Sequence, residues 1–441
     1  MQSRPWYDTF MRPFEQAMKL QKTHIIYLSI ITVVAVAMGF IYGSSLAATY
    51  IALFSFVSVV GAALLMSWAA EASEVMISQG LAVAIVAILQ VLPEFMVEAV
   101  IAYDGDAGLI TANLTGSNRL LMGVGWSFVF FISFIANHKK DGFGYIVRMR
   151  REAIVEILAL LIASSYFVIV LLKGTLSWHD TVFLGPLFFL YMYILYLLPG
   201  EDAETAENLP KITRDIAVMP SKKMRIVVVT FLFVFSGLVM VFVAQPFFHG
   251  MQALAAALGI SAFLFVQWVA PFLTELPEKI SAFYWAAHPR FAHMGLLNLI
   301  SSKVNQWTLL VAMVPLVFLI SPHGGGAIPL DGHQKEEIML SMVMSVYGAI
   351  TLMKGYFNLE NALLIFVLWL VQFLMPGRFA GVTGAWFVFP YWFFHSWRGL
   401  TTLGFILLTI FEALRHFRKY TPIEDIIFTY RLIEKKRAEN D

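Results

Sequence analysis

The sequence predicts an all-α protein that crosses a membrane many times. Of its 441 residues, 59% are hydrophobic and only 13% charged. A soluble globular chain carries about 25% charged residues. The few charges gather between apolar runs, and mean hydropathy is +0.75. Many of those runs reach the roughly 20 residues that a helix needs to span hydrocarbon.

By that measure, spans fall near 23–43, 45–70, 78–103, 109–137, 152–172, 178–198, 224–258, 260–287, 293–321, 336–354, 358–377 and 396–418, about twelve in all. Residues 1–22 carry mixed charge with no signal-peptide pattern, so the first run reads as a retained span. Pro246 and Gly250 interrupt 224–258, which reads as a kinked helix or a helix and a turn. The aromatic-rich piece 381–397 either spans or lies at headgroup depth, where Trp and Tyr are favoured.

Lys and Arg concentrate in 1–22, 137–151, 199–225 and the tail after Arg415. Twelve spans put all four segments on one side, the cytoplasmic one by the positive-inside rule. Both termini are then cytoplasmic, Asp104 and Asp106 lie outside, and the expected location is the inner (plasma) membrane. The longest break, 199–223, reads as a solvated connector. Glu71 and Glu74, at the end of 45–70, read as solvated interface charges.

Other classes find little support. Net charge +1 gives no basis for nucleic-acid binding. The chain has no cysteine, hence no disulfide framework and no thiolate metal site. No nucleophile–base pair, His-x-x-x-His spacing or phosphate-cradling glycine loop points to an enzyme or a bound cofactor. The expected partners are the lipid bilayer and small inorganic cations.

Deep inside two spans the same phrase occurs: Leu92-Pro93-Glu94 and Leu276-Pro277-Glu278. Proline breaks the helical ladder and glutamate is expensive in hydrocarbon, so each copy reads as functional. Asn113 follows Pro93 by 20 positions, and Asn298 follows Pro277 by 21. Both asparagines open Asn-Leu-x-[Gly/Ser]-Ser, giving Asn113 to Ser117 with Asn118 next, and Asn298 to Ser302 with Lys303 next. Span counting makes the two copies inverted with respect to the membrane. Inverted repeats with broken helices meeting at the midplane are a secondary-transporter architecture.

These residues resemble the sodium/calcium exchanger superfamily, whose members carry two inverted repeats with a Gly-Thr-Ser-Leu-Pro-Glu motif and a later Gly-Asn-x-x-Gly-Ser-Asn motif. The chain looks like a divergent prokaryotic-type member. The resemblance implies a ten-helix core of two inverted five-helix repeats, 45–198 and 224–377. Around it lie 1–44 (N-terminus and an extra span), the loop 199–223, and 378–441 (aromatic segment, extra span and tail). It also implies a cation antiporter in which Glu94 and Glu278 bind Ca²⁺ or another cation in exchange for Na⁺ or H⁺. Neighbouring polar groups complete the ion sites. Three departures stand out: Leu89-Gln90-Val91 and Leu273-Thr274-Glu275 replace Gly-Thr-Ser, and Lys303 replaces the last Asn.

Gln90, Glu94 and Glu98 share one helical face, and Thr274, Glu275 and Glu278 cluster likewise. The candidate cation ligands are these six with Asn113, Ser117, Asn118, Asn298 and Ser302. Lys303 is expected to compensate charge by pairing with Glu278 or Glu275. Either it stands in for a bound Na⁺, or it makes a permanent salt bridge on an exchanger scaffold with a binding or regulatory role and no flux. Arg119 is a candidate partner for Glu98 or Asp106.

Overall fold

The computed structural model describes residues 48–74, 91–141, 145–198, 211–288, 291–375, 391–416 and 422–440. The expected span 23–43, residue Gln90 and the 381–390 part of the aromatic-rich piece lie outside these.

In chain order, α1 is Ala48–Glu74 and α2 is Leu92–Asp104. Next, α3 (Ala107–Leu120) runs through a π-helical turn, Leu121–Trp126, into α4 (Ser127–Asp141). Strand β1 (Ile146–Arg148), α5 (Ile154–Lys173), β2 (Thr175–Ser177) and α6 (Trp178–Leu197) follow. A short helix α7 (Lys211–Ala217) precedes the long α8 (Lys222–Ala257). The second Leu-Pro-Glu lies between α9 (Ala262–Thr274) and α10 (Leu276–Ala286). Then α11 (Ala292–Asn305) passes through a second π turn, Gln306–Leu310, into α12 (Val311–Ile320). The chain continues with β3 (Ala327–Pro329), α13 (Gly332–Leu352), β4 (Tyr356–Asn358) and α14 (Leu359–Leu374). It ends with α15 (Trp397–His416) and α16 (Pro422–Asn440). Seven of the described helical segments are long and apolar enough to cross a membrane.

Two compact units emerge, 1–100 with 199–284, and 101–198 with 285–441. Each draws on both halves of the sequence. In the first, α8 lies along α1. A Cβ at Gly250 would come within 2.7 Å of the Ala52 backbone, so the absence of a side chain permits that approach. The α8 helix spans about 54 Å at the usual rise. It is continuous through Pro246, where the sequence suggested a kink or turn. Other helices in a membrane can resatisfy the backbone group that proline frees.

The segment 199–223 is not only a solvated connector. Within it α7 buries Ile212, Thr213 and Ile216, and its isoleucines join Leu65, Trp68, Ala72 and Val229 in one apolar cluster. Isoleucines four apart lie on one helical face, which gives this charged stretch an apolar seam.

In the second unit β1 pairs antiparallel with β4, and β2 with β3. Each pairing joins the first half of the sequence to the second. The turns leading into β2 and β4 also match. Lys173-Gly174 and Lys354-Gly355 close α5 and follow α13, each glycine taking a positive φ (71° and 80°) that a side chain would oppose. Ser177 and Asn358 then cap the next helices. Each lysine reaches the residue seven positions on, Lys173 to Asp180 at 2.6 Å and Lys354 to Asn361 at 2.8 Å. Asn361 has no charge, and Lys354 pairs instead with the Glu412 carboxylate of α15.

The tail beyond Arg415 was expected only as a basic segment, and most of it is the helix α16. Arg151 pairs with its Asp425 at 2.6 Å, and Lys436 donates to the carbonyl of Leu198 at 2.5 Å.

Candidate cation site

The candidate carboxylates lie in the first unit. The α9 helix stops at Thr274, whose hydroxyl turns back to the Ala270 carbonyl at 3.0 Å. Glu275 forms the break, and α10 restarts with Leu276, Pro277 and Glu278. Proline fits a first helical turn because the amide it lacks has no acceptor there. What the sequence placed in one span, 260–287, is thus two helices with an acidic junction. The first copy matches from its proline onward: α2 starts at Leu92, with Glu94 in its first turn. A carboxylate is favoured there by the partial positive charge of a helix start. Glu94, Glu98, Thr274, Glu275 and Glu278 are all buried.

One further residue belongs to this group. Lys279 ion-pairs with Glu275, both side chains almost fully buried. The signal was legible as Glu followed by Lys four positions on. Glu275 therefore has a cationic partner within its own unit.

The candidate neutral oxygens lie in the second unit. Asn113, Ser117 and Asn118 are buried on α3, and Ser302 is buried on α11 with Asn298 half-buried. Ser117 accepts a hydrogen bond from the Gln306 amide. Lys303 is fully buried. Its ammonium donates to the Asn118 carbonyl at 2.6 Å and to the Asn118 side-chain oxygen at 3.4 Å. Both helices run on into a π turn, a local widening often found at functional sites. Among the described residues, no three His, Cys, Asp or Glu side chains form a metal cluster.

Arg119 lies fully buried on α3. Its guanidinium pairs with Glu337 of α13 and donates to Gln372 at 2.7 Å. Glu337 also meets Arg398 of α15 at 2.8 Å. Asp106 caps α3, accepting from the Leu109 amide at 2.9 Å. Glu71 is buried rather than solvated, because α7 and α10 cover it.

A family profile described as sodium/calcium exchanger protein matches residues 46–197 and 228–399. A crystal structure of the H⁺/Ca²⁺ exchanger CAX is 29% identical, covers 95% of this chain and 99% of its own, and superposes with a TM-score of 0.81. The Ca²⁺/H⁺ antiporter YfkE is 14% identical, with 79% and 98% covered and a TM-score of 0.54. The sodium-calcium exchanger NCX_Mj is 18% identical, with 74% and 98% covered and a TM-score of 0.51. The last two likenesses concern the fold alone. No curated protein matches by sequence at a significant level. With both halves matched over most of its length, this integral membrane protein belongs to the sodium/calcium exchanger protein family, a family of cation antiporters.

Proposed function

We propose that the chain exchanges Ca²⁺ for protons by alternating access, with Glu94 and Glu278 as the central cation ligands. Glu98, Gln90 and Thr274 from the Pro-Glu segments, and Asn113, Ser117, Asn118, Asn298 and Ser302 from the Asn/Ser helices, are the oxygen donors that complete the site. Glu275 is a candidate in the same set, with its charge balanced by Lys279.

The observation that carries the choice of proton over Na⁺ is Lys303. It stands where the family motif has Asn, and its ammonium occupies the Asn118 oxygens. A fixed cation there takes the place that a second, monovalent cation would need. Protons then remain as counter-ions, and buried carboxylates are the groups that carry them. The near end-to-end likeness to an H⁺/Ca²⁺ exchanger supports the same choice.

The supporting arrangement is two inverted repeats, 45–198 and 224–377, joined by the 199–223 loop, with 1–44 and 378–441 outside the core. The duplicated Lys-Gly turns, the paired π turns and the crossed strand pairs favour a repeat. Basic segments put both termini in the cytoplasm, and the plasma membrane is the expected location. Ca²⁺-dependent thermal stabilisation of the purified protein tests the site. Glu94→Gln and Glu278→Gln abolish it on this reading. Stabilisation that persists in both variants contradicts it and favours a scaffold whose ion site is lost.

A further inference from the structure

Glu71 lies at the end of α1 with 1% of its surface exposed. Its Oε1 accepts from the hydroxyls of Ser281 and of Ser67, the latter at 3.4 Å, and its Oε2 accepts from Thr213 at 2.8 Å. These hydroxyls come from α10, α1 itself and α7. Among the described residues they are its complete set of polar partners.

The elements packed on α1 do carry charges. Among the described side chains, Arg214 and Asp215 lie on α7, Lys222, Lys223 and Arg225 are in the first turn of α8, and Glu278 and Lys279 are on α10; α9 has none. None of these is a hydrogen-bond or ion-pair partner of Glu71. Arg225 donates to the Ala217 carbonyl at 2.9 Å, and Lys279 is committed to Glu275.

The chemistry of the cage is specific. A hydroxyl can donate or accept, whereas an ammonium or guanidinium can only donate. When Glu71 is ionised, its hydroxyl neighbours donate to it. When it is protonated, its own O–H can donate to one of them. Both states keep hydrogen bonds, with no more than the turning of one hydroxyl. Glu275 and Glu337 differ, because each is ion-paired to cationic side chains that can only donate.

We propose that Glu71, caged by Ser67, Thr213 and Ser281, is a proton-binding station of this transporter, set beside the helix that bears Glu278. It rests on the proton-exchange reading above. Uptake forms one O–H bond on the carboxylate as one O–H bond of a hydronium ion breaks and leaves water, and release reverses both changes. Ser281 is less than one turn beyond Glu278, which puts the station next to the central site along α10.

The test is pH-difference infrared spectroscopy on the full chain in liposomes. Wild type shows a carboxylic-acid carbonyl band that Glu71→Gln removes, while Ca²⁺-dependent thermal stabilisation is kept. Ser281→Ala and Thr213→Val move that band to higher frequency, because the acid loses a hydrogen-bond partner. An unchanged spectrum in Glu71→Gln overturns the proposal. Should that variant not fold, the hydroxyl variants decide: a band that moves in both supports the station, and one that moves in neither overturns it. Loss of the band in Glu71→Gln, with no proton-coupled flux in wild type, leaves the station standing and removes the exchange reading.

Discussion

The ammonium of Lys303 donates to the Asn118 backbone carbonyl at 2.6 Å, tying α11 to α3 where both helices run into π turns. If this ammonium stands in for Na⁺, Lys303→Asn opens a place for one. Flux in Lys303→Asn liposomes is expected to gain a dependence on Na⁺ gradients that wild type lacks. Lys303→Ala also leaves a buried carbonyl short of a donor, at a cost of about 1–3 kcal/mol. Thermal unfolding at fixed salt reads that loss.

Glu275 and Lys279 form a buried pair one turn apart. Removing one partner strands a charge, which costs about 3–5 kcal/mol. Glu275→Gln and Lys279→Met are each expected to lower the unfolding midpoint. The double variant recovers much of the loss, because no uncompensated charge remains. A double-mutant cycle on unfolding measures this, and additive losses contradict the pairing.

Glu337 lies between two guanidiniums, those of Arg119 and Arg398. Glu337→Gln leaves two buried cations facing a neutral amide. The expected loss is again about 3–5 kcal/mol, the cost of breaking a buried pair. Cation affinity of the protein that remains folded is expected to match wild type, since this cluster braces α3, α13 and α15. Denaturation and Ca²⁺ titration on the same sample separate the two effects.

The two Lys-Gly turns predict a rescue. Lys173 is answered by Asp180 within its own turn, while Lys354 has neutral Asn361 there and pairs with Glu412 from α15. Glu412→Gln is expected to destabilise the protein. Adding Asn361→Asp restores a local carboxylate seven residues from Lys354 and recovers most of the lost stability. No recovery in the thermal midpoint means that Glu412 matters for another reason.

Much of this was legible in the residues. Leu-Pro-Glu marked a break in the helical ladder, and in both copies a helix starts there with a carboxylate in its first turn. Glu275 and Lys279 advertised their pairing by spacing. Arg119 did not, because its partner Glu337 is 218 positions away and only tertiary packing brings them together. The π turns depend on neighbours rather than on local propensity. Strands of three residues fall below any periodicity signal. Glu71 read as an interface charge because it ends an apolar run, and nothing local shows that Thr213 and Ser281 will cover it. The role of α15 in neutralising Lys354 and Glu337 was hidden in the same way.

The most direct measurement is Ca²⁺ uptake into liposomes holding the purified chain, with H⁺, Na⁺ and K⁺ gradients imposed one at a time. The account predicts uptake driven by an outward proton gradient, indifferent to Na⁺ and K⁺, and lost in Glu94→Gln and Glu278→Gln. Uptake driven by Na⁺ alone, or none under any gradient, contradicts it.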